Sequence, residues 1–420
     1  MAKHLHKKFK NKQVKSLLKS YLSKEIKIDY ILEILGIKRS RFFELLKEYQ
    51  KAPDSFSISY KRTKNPRRVS KEIEENIIKE LRIERGLIED KNVALRSYNY
   101  SYIRDQLWRK YGQKVSVPTI IDRAKKNNFY FPRPKRKAHD REVVTNYPGE
   151  LIQHDSSYHK WSPYAEEKWH LITSLDDYSR HLLYADFVQP ETSWDHILAL
   201  ESVILRYGFP YAYYVDSHSI FRFVQKRNSF WRTHHKVTDE AAPQWKRVLN
   251  DCRIKIIYAL SPQARGKIER PYGWLQDRIV RTCARENIRT IDQARQLLQA
   301  EVNRYNNHQV HSTTREIPSL RFQQALEAKK SLFREFTVPP PFLSSKDIFC
   351  LRAERIVNPY RKISFNNLEF RMEGVPIRGT VQLRIVPNKE SGLAEIRFWH
   401  ENKLVGIEKV KNEDLKLVHF

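Results

Sequence analysis

The stretch "SPQARGKIER", residues 261–270, sets one carboxylate, Glu269, beside Arg270 and two residues after Lys267. It does so in a chain of 420 residues with 78 Lys and Arg against 49 Asp and Glu, a formal net charge of +29. Such an excess predicts a phosphate-rich partner, so an acid embedded among cations needs a reason of its own. Two acids upstream supply one candidate reason: Asp155 ends a first strand-like run in "LIQHDSS", Asp216 follows another in "YAYYVDSHS", and Glu269 follows a third, "RIKIIYAL". Carboxylates carried on neighbouring strands can converge although 61 and 53 positions separate them. A hard divalent cation takes oxygen ligands of this kind and keeps room for water and phosphate oxygens. Two such ions roughly 4 Å apart can activate an attacking oxygen and stabilise a leaving one at phosphorus. The bland reading stands beside it: an Asp at a strand end often caps a turn, and Glu269 is spaced i, i+4 from Arg265. Asp176, Asp177 and Asp186 lie in the same region, and spacing alone does not choose among the acids.

The charge is uneven. Residues 1–146 hold 37 basic and 17 acidic side chains, +20 of the +29, which marks the first third as the nucleic-acid anchor. No apolar run approaches the roughly 20 residues of a membrane span, and "MAKHLHKKFKNK" lacks the apolar core of a signal peptide. Cys252, Cys283 and Cys350 are far apart with no CxxC spacing, which argues against a disulfide framework or a Cys-based zinc site and fits a reducing cytoplasm.

Within residues 1–60, "IKIDYILEILGIKRSRFFELLKEY" (26–49) carries apolar residues at helical spacing on both sides of Gly36. Two short helices about a Gly turn suit a helix-turn-helix, with Lys38, Arg39, Ser40 and Arg41 where side chains reach bases and phosphates. An ordinary helical hairpin is the alternative. A second helical unit, 71–130, ends in "KVSVPTIIDRAKKNN", with Ser116 as helix cap and Pro118 in the first turn. Its DNA-contact candidates are Ser116, Thr119, Arg123 and Lys126. The linkers 61–70, with Lys64, Arg67 and Arg68, and 131–146, with Arg133, Lys135 and Arg136, are Pro- and Arg-rich runs suited to tracking phosphates or to remaining solvated.

From 147 to 330 strand and helix patterns alternate. "WHLITSLDDYSRHLLYADFV" reads as two strands about a polar turn, and "TSWDHILALESVILRYG" as an amphipathic helix with Ile197, Leu200, Ile204 and Leu205 on one face. A mixed αβ layer follows. Residues 337–420 are rich in short strand patterns and predict a small barrel or sheet. The chain is thus multidomain: all-α helix-turn-helix units, an α/β core and a small all-β domain. His154, His159 and His170 lack metal-ligand spacing and fit hydrogen bonding; Trp161, Trp169 and Trp194 read as core. Pro271 and Gly273 predict that the helix carrying Glu269 is kinked or starts late.

The region 147–325 resembles the catalytic core of DDE transposases and retroviral-type integrases, a fold similar to ribonuclease H. Asp155 in "HDSS", the segment "LDDYSR" (175–180) and Asp216 in "VDSHSIF" match its motifs in order. "SPQARGKIER" matches S-P-x-x-x-G-x-x-E-R at every fixed position, and "VNRYNNHQVHSTTREIPSLRF" (302–322) is similar to the closing YN…H…P segment, with Tyr305, Asn306 and His311. The whole chain resembles bacterial insertion-sequence transposases, with the ISNCY group as the candidate subgroup. Ser-His after Asp216, where many relatives have Asn-Gly, departs from the pattern, as does the basic, aromatic insert 221–236.

The resemblance implies that Asp155, Asp216 and Glu269 hold two Mg²⁺ or Mn²⁺ ions. The implied reaction is hydrolysis at an element end followed by 3′-OH attack on target DNA. Lys267 and Arg270 would contact the backbone near the cut. It further implies double-stranded DNA ends and target as partners, a homo-oligomer on paired ends, no membrane, and a place at the prokaryotic nucleoid. The competing readings are a non-catalytic DNA-binding regulator derived from a transposase, and a nuclease that cuts without joining.

Overall fold

The computed structural model describes residues 5, 8–59, 69–131, 144–216, 244–259 and 266–415, with the backbone alone for 266–270. The chain forms two compact units, Met1–Glu72 and Ile73–Phe420.

The first unit contains α1 (Asn11–Leu22), α2 (Ile28–Leu35) and α3 (Arg39–Lys51). Gly36 ends α2 in the left-handed region (φ 61°), which a side chain would disfavour, and its N–H bonds back to the carbonyl of Glu33. Ile31 and Leu35 of α2 meet Phe42 and Leu45 of α3 and Leu18 of α1 in one apolar cluster, with Tyr21 edge-on to Phe42 at 4.9 Å. This packing turns Arg39, Ser40 and Arg41, the first residues of α3, and its N-cap Lys38 to solvent.

In the second unit, α4 (Lys71–Glu89), α5 (Tyr100–Tyr111) and α6 (Val117–Lys126) precede a five-stranded sheet. Its strands are β1 (Ile152–His159), β2 (Trp169–Asp176), β3 (Leu182–Val188), β4 (Ala212–Val215) and β5 (Lys255–Tyr258), in the order β3-β2-β1-β4-β5. β1, β2 and β3 are antiparallel neighbours, while β4 runs parallel to β1 and β5 parallel to β4. This mixed order is the ribonuclease-H-like arrangement that the resemblance implies. α7 (Ser193–Tyr207) and α8 (Gln244–Asp251) cover one face; α9 (Gly266–Glu286) and α10 (Ile291–His308) cover the other, and α11 (Pro318–Glu327) follows.

α7 starts with a capping box between Thr192 and Asp195. Ile197, Leu200 and Ile204 face the core as the spacing predicts, but Leu205 is 50% exposed and Val203 is buried in its place. A step of one residue turns a helix by about 100°, which carries Leu205 from the side of Ile204 to the face of Ser202 and Arg206, also exposed. Gly208 ends α7 where a Cβ would run into the carbonyl of Arg334, whose strand-like segment bridges Phe209.

Beyond α11, β6 (Leu351–Ile356), β9 (Thr380–Asn388), β10 (Leu393–His400) and β11 (Lys403–Lys411) form a sheet in the order β11-β10-β9-β6. A hairpin, β7 (Lys362–Phe365) and β8 (Leu368–Arg371), turns at Asn366 and Asn367, both at positive φ. Val381, Leu383, Ile396 and Phe398 of this sheet belong to the same apolar cluster as Ile197, Trp194 and Trp245 of the αβ layer. The β-rich segment thus shares a core with the sheet that precedes it. The three cysteines are buried free thiols. Among the described residues no helix is long and apolar enough to cross a membrane.

α9 has two working faces. Tyr272, Leu275, Ile279 and Cys283 recur at three- and four-residue steps and pack on the sheet. Arg278, Arg281 and Arg285 recur on another side and meet buried acids: Arg285 joins Glu80 at 2.6 Å and Glu84 at 2.7 Å, Arg281 joins Glu84, and Arg278 joins Glu301 at 2.6 Å and Asp105 at 3.0 Å. Glu80 and Glu84 are fully buried, so each needs its cation. These pairs fasten α4 and α5 to α9. Arg281→Ala is expected to destabilise the second unit by roughly 3 kcal/mol by leaving Glu84 short of charge. Arg281→Met combined with Glu84→Leu should recover most of that loss in thermal unfolding. Equal melting of the wild type and Arg281→Ala would contradict the clamp.

Candidate active site

The placement of the first two acids follows from the sheet register. Ile152 pairs with Tyr213 and Gln153 with Tyr214 across the parallel strands β1 and β4. That constant offset of 61 residues, carried two positions on, sets Asp155 level with Asp216, which directly follows β4. Neighbouring strands lie roughly 5 Å apart, and residues in register on parallel strands present the same face. Asp155 and Asp216 therefore share one face, and both are half-buried. Asp155 is not at the end of β1: it is the fourth of eight residues, because the antiparallel pairing with β2 continues to His159 opposite Trp169.

The shared face is the one α9 covers. Tyr272, buried on α9, donates its hydroxyl hydrogen to the backbone carbonyl of Asp155 and accepts one from Thr173 Oγ1 at 2.9 Å. Thr173 is the β2 partner of Asp155. Burial, followed by the nearby Asp155 charge, drives the Tyr272 phenol well above its ordinary pKa, so it remains a proton donor. Glu269 lies in α9 three residues before Tyr272, in its first turns. Helix α9 starts at Gly266, five residues ahead of Pro271, so the predicted late start is not found. Pro271, the sixth residue of the helix, removes the N–H that would bond back to the Lys267 carbonyl and sets its ring against that carbonyl, a recognised cause of a kink.

The rival acids are engaged elsewhere. Asp176 is fully buried and accepts from Gly149 N at 2.9 Å, Ser179 N at 2.8 Å and Ser179 Oγ at 2.5 Å; burial raises its carboxyl to about 6. Asp177, also fully buried, accepts from Gln153, Arg180 and Thr145. Asp186 pairs with Arg295 at 3.2 Å. Within "LDDYSR" the acids therefore hold the turn between β2 and β3.

His154, His170 and His196 belong to the other face; His159 alternates onto the face of Asp155, where its ring meets Trp161 edge-on at 5.6 Å. His154 Nδ1 is 2.9 Å from Ser174 Oγ and its Nε2 2.8 Å from His196 Nδ1; His196 reaches Glu191 at 2.8 Å, and Glu191 reaches His170 at 3.1 Å. Burial, then the neighbouring His196, pushes His154 well below the usual histidine range. Burial opposes ionisation of Glu191, but the His196 hydrogen bond and charge outweigh it and lower its carboxyl to about 2. The network fills polar sites under α7. Glu191, His196 and Tyr272 carry no motif; only the alternation of β1, which sends His154 and Asp155 to opposite faces, hints at the division. Tyr305 is buried, and Asn306 clasps the backbone N–H and carbonyl of Leu182 at 2.9 and 3.0 Å. His311 accepts from Thr313 N at 3.3 Å. The closing segment thus packs the core.

In the helical part, Ser116 caps α6 by accepting from Thr119 N, while Arg123 is drawn to Glu74 of α4 at 2.6 Å and Lys126 to Asp122 at 3.1 Å. Lys64, Arg67, Arg68, Arg133, Lys135 and Arg136, the insert 221–236, and the side chains of Lys267, Glu269 and Arg270 lie outside the described residues. Among the described residues no group of three or more His, Cys, Asp or Glu is arranged to hold a metal. The pair Asp155 and Asp216 nonetheless offers the all-oxygen donor set that a hard divalent cation takes.

The chain is 28% identical over 253 residues to "Putative transposase y4bF" of Sinorhizobium fredii, and 28% identical over 238 residues to the transposase for insertion sequence IS1202 of Streptococcus pneumoniae. The chain is thus similar in sequence to bacterial proteins named as transposases. The matches cover 60% and 56% of it but only 48% and 45% of those proteins, so it spans about half the length of the relatives it matches. No protein-family model matches. Among solved structures, the HTLV-2 integrase catalytic core aligns over 42% of this chain and 97% of its own at 17% identity and a TM-score of 0.32. The BIV integrase core aligns over 43% and 98% at 16% identity and a TM-score of 0.30. With scores this low, the fold assignment rests on the sheet order.

Asp155 and Asp216 stand level on neighbouring strands roughly 5 Å apart, where like charges disfavour each other. Asp155→Asn and Asp216→Asn are each expected to leave the metal-free melting temperature unchanged or raise it. Asp176→Ala, which strands buried donors, should lower stability by about 2 kcal/mol. Losses of equal size in all three would contradict the division between site and scaffold.

Proposed function

We propose that the chain is a DDE transposase that binds the double-stranded ends of a mobile element and joins them to target DNA. The observation that carries this reading is the shared level and face of Asp155 and Asp216, beneath the helix that bears Glu269. When bound, a pair of Mg²⁺ or Mn²⁺ ions would supply Lewis-acid charge and an activated oxygen at the phosphodiester.

The protein's own groups do the rest. Asp155, Asp216 and Glu269 hold the cations, and their charge is tolerated because the chain around them is strongly basic. The sheet and α9 keep the carboxylates fixed, so little reorganisation is needed when a phosphate arrives. Lys267 and Arg270, flanking Glu269 in sequence, bind the backbone near the reacting bond. Lys38, Arg39, Ser40 and Arg41 on the α3 start, with Ser116 and Thr119 on the α6 start, read the element end. Arg123 and Lys126 reach phosphate by exchanging their carboxylate partners for it. The linker cations follow the backbone, Lys64, Arg67 and Arg68 between the two helical units and Arg133, Lys135 and Arg136 between the second unit and the core. The domain scheme is that of the sequence: helix-turn-helix units 1–60 and 71–130, a catalytic core 147–330 and a β segment 337–420, acting as a homo-oligomer on paired ends at the nucleoid.

The test is strand transfer with labelled duplexes copied from the DNA flanking the gene, in Mg²⁺ or Mn²⁺. Asp155→Asn, Asp216→Asn and Glu269→Gln should each reduce joining by at least roughly a thousandfold while retaining salt-sensitive binding of the ends. Joined products from any of the three at the wild-type rate would refute the assignment. Cut but unjoined products from the wild type would favour the nuclease reading.

A further inference from the structure

Tyr272 ties α9 by a side chain to the strand carrying Asp155. Its hydroxyl donates to the Asp155 carbonyl, with the Leu171 carbonyl farther off at 3.4 Å, and accepts from Thr173, which pairs with Asp155 across β1 and β2. The ring itself is core, packed with Leu275 and Leu171. A ring alone would satisfy that packing, so the hydroxyl needs a separate reason. Position supplies it. Tyr272 and Glu269 are spaced i, i+3, on neighbouring positions of one helix surface and separated by about 4.5 Å of rise. Between them lies Pro271, which removes a backbone bond from the first turns of α9. The helix start is therefore weakened by its own sequence just where the third acid must be held still.

We infer that Tyr272 is a positioning residue: its hydroxyl pins the start of α9 to the backbone of Asp155 and so fixes the distance between the first and third acids. This rests on the transposase reading of those acids. Asp155 and Asp216 owe their mutual placement to the strand register, whereas Glu269 comes from a helix and needs a tertiary tie. Tyr272 supplies that tie without spending a carboxylate oxygen of Asp155, because it bonds the main chain.

The test uses the full chain, with Mn²⁺ itself as the probe. Mn²⁺ affinity is measured by titration calorimetry without DNA, and strand transfer at saturating Mn²⁺ is measured alongside, for the wild type, Tyr272→Phe, Thr173→Val and Asp155→Asn. Tyr272→Phe keeps the ring and should lower Mn²⁺ affinity roughly tenfold or more, with joining reduced even at saturating metal. Thr173→Val, which removes the group that orients the phenol, should show the same change to a smaller extent. Wild-type Mn²⁺ affinity and joining in Tyr272→Phe, with both lost in Asp155→Asn, would overturn the positioning role and leave the site reading standing. Unchanged Mn²⁺ affinity in Asp155→Asn would overturn both. If Tyr272→Phe fails to fold, Thr173→Val decides: wild-type affinity in that variant overturns the proposal.

Discussion

The parallel pairing of β1 with β4 is the constraint on which the site depends. It is short, since β4 has only four residues, yet it decides whether Asp216 stands beside Asp155 or on the opposite face. A slip of one residue would exchange the two faces of β4. Packing prevents the slip. Tyr213 is fully buried, edge-on to Trp245 at 5.7 Å and near His154 at 6.0 Å, while Tyr214 and Ala212 pack with Leu151 on the other side. Each face thus has its own set of partners, and a slip would take Tyr213 away from Trp245 and His154 and Tyr214 away from Leu151, so a four-residue strand can be held to a single alignment.

The two faces of the sheet then do different work. Under α7 the buried polar chain from Ser174 through His154, His196 and Glu191 to His170 satisfies its members and leaves that side to structure. Under α9 lie the half-buried carboxylates, which the fold exposes to charge from outside. α9 joins the two functions of the second unit, since its start carries Glu269 and its later turns carry the arginines that clamp Glu80 and Glu84 of α4. A ligand held by the α4–α6 helices is thereby connected to the helix of the third acid through groups that are costly to separate.

Much of this was legible in the sequence where the cause is local. Gly36 ends α2, Ser116 caps α6, and the strand–turn–strand reading of residues 169–188 follows from alternation and from the polar run after Leu175. Asp155, Asp216 and Glu269 stood out only because a motif linked them; alternation and charge left Asp176, Asp177 and Asp186 as rivals until their buried hydrogen bonds were seen. What was not legible is what depends on distant partners. The Arg281–Glu84 pair spans 197 positions and the Tyr272–Asp155 tie 117, and neither has a local signature. The mid-strand position of Asp155 was missed because β2 extends the pairing past the polar residues that look like an ending. The shared core of the C-terminal sheet was missed because alternation tells which residues are inward without telling what they face.

The most direct measurement is an anomalous-scattering map from crystals of the chain equilibrated with Mn²⁺. The predicted result is manganese density coordinated by the carboxylates of Asp155 and Asp216 together, on the face of the sheet that α9 covers. Density at other residues with both carboxylates vacant, or the two carboxylates on opposite faces of the sheet, would contradict it.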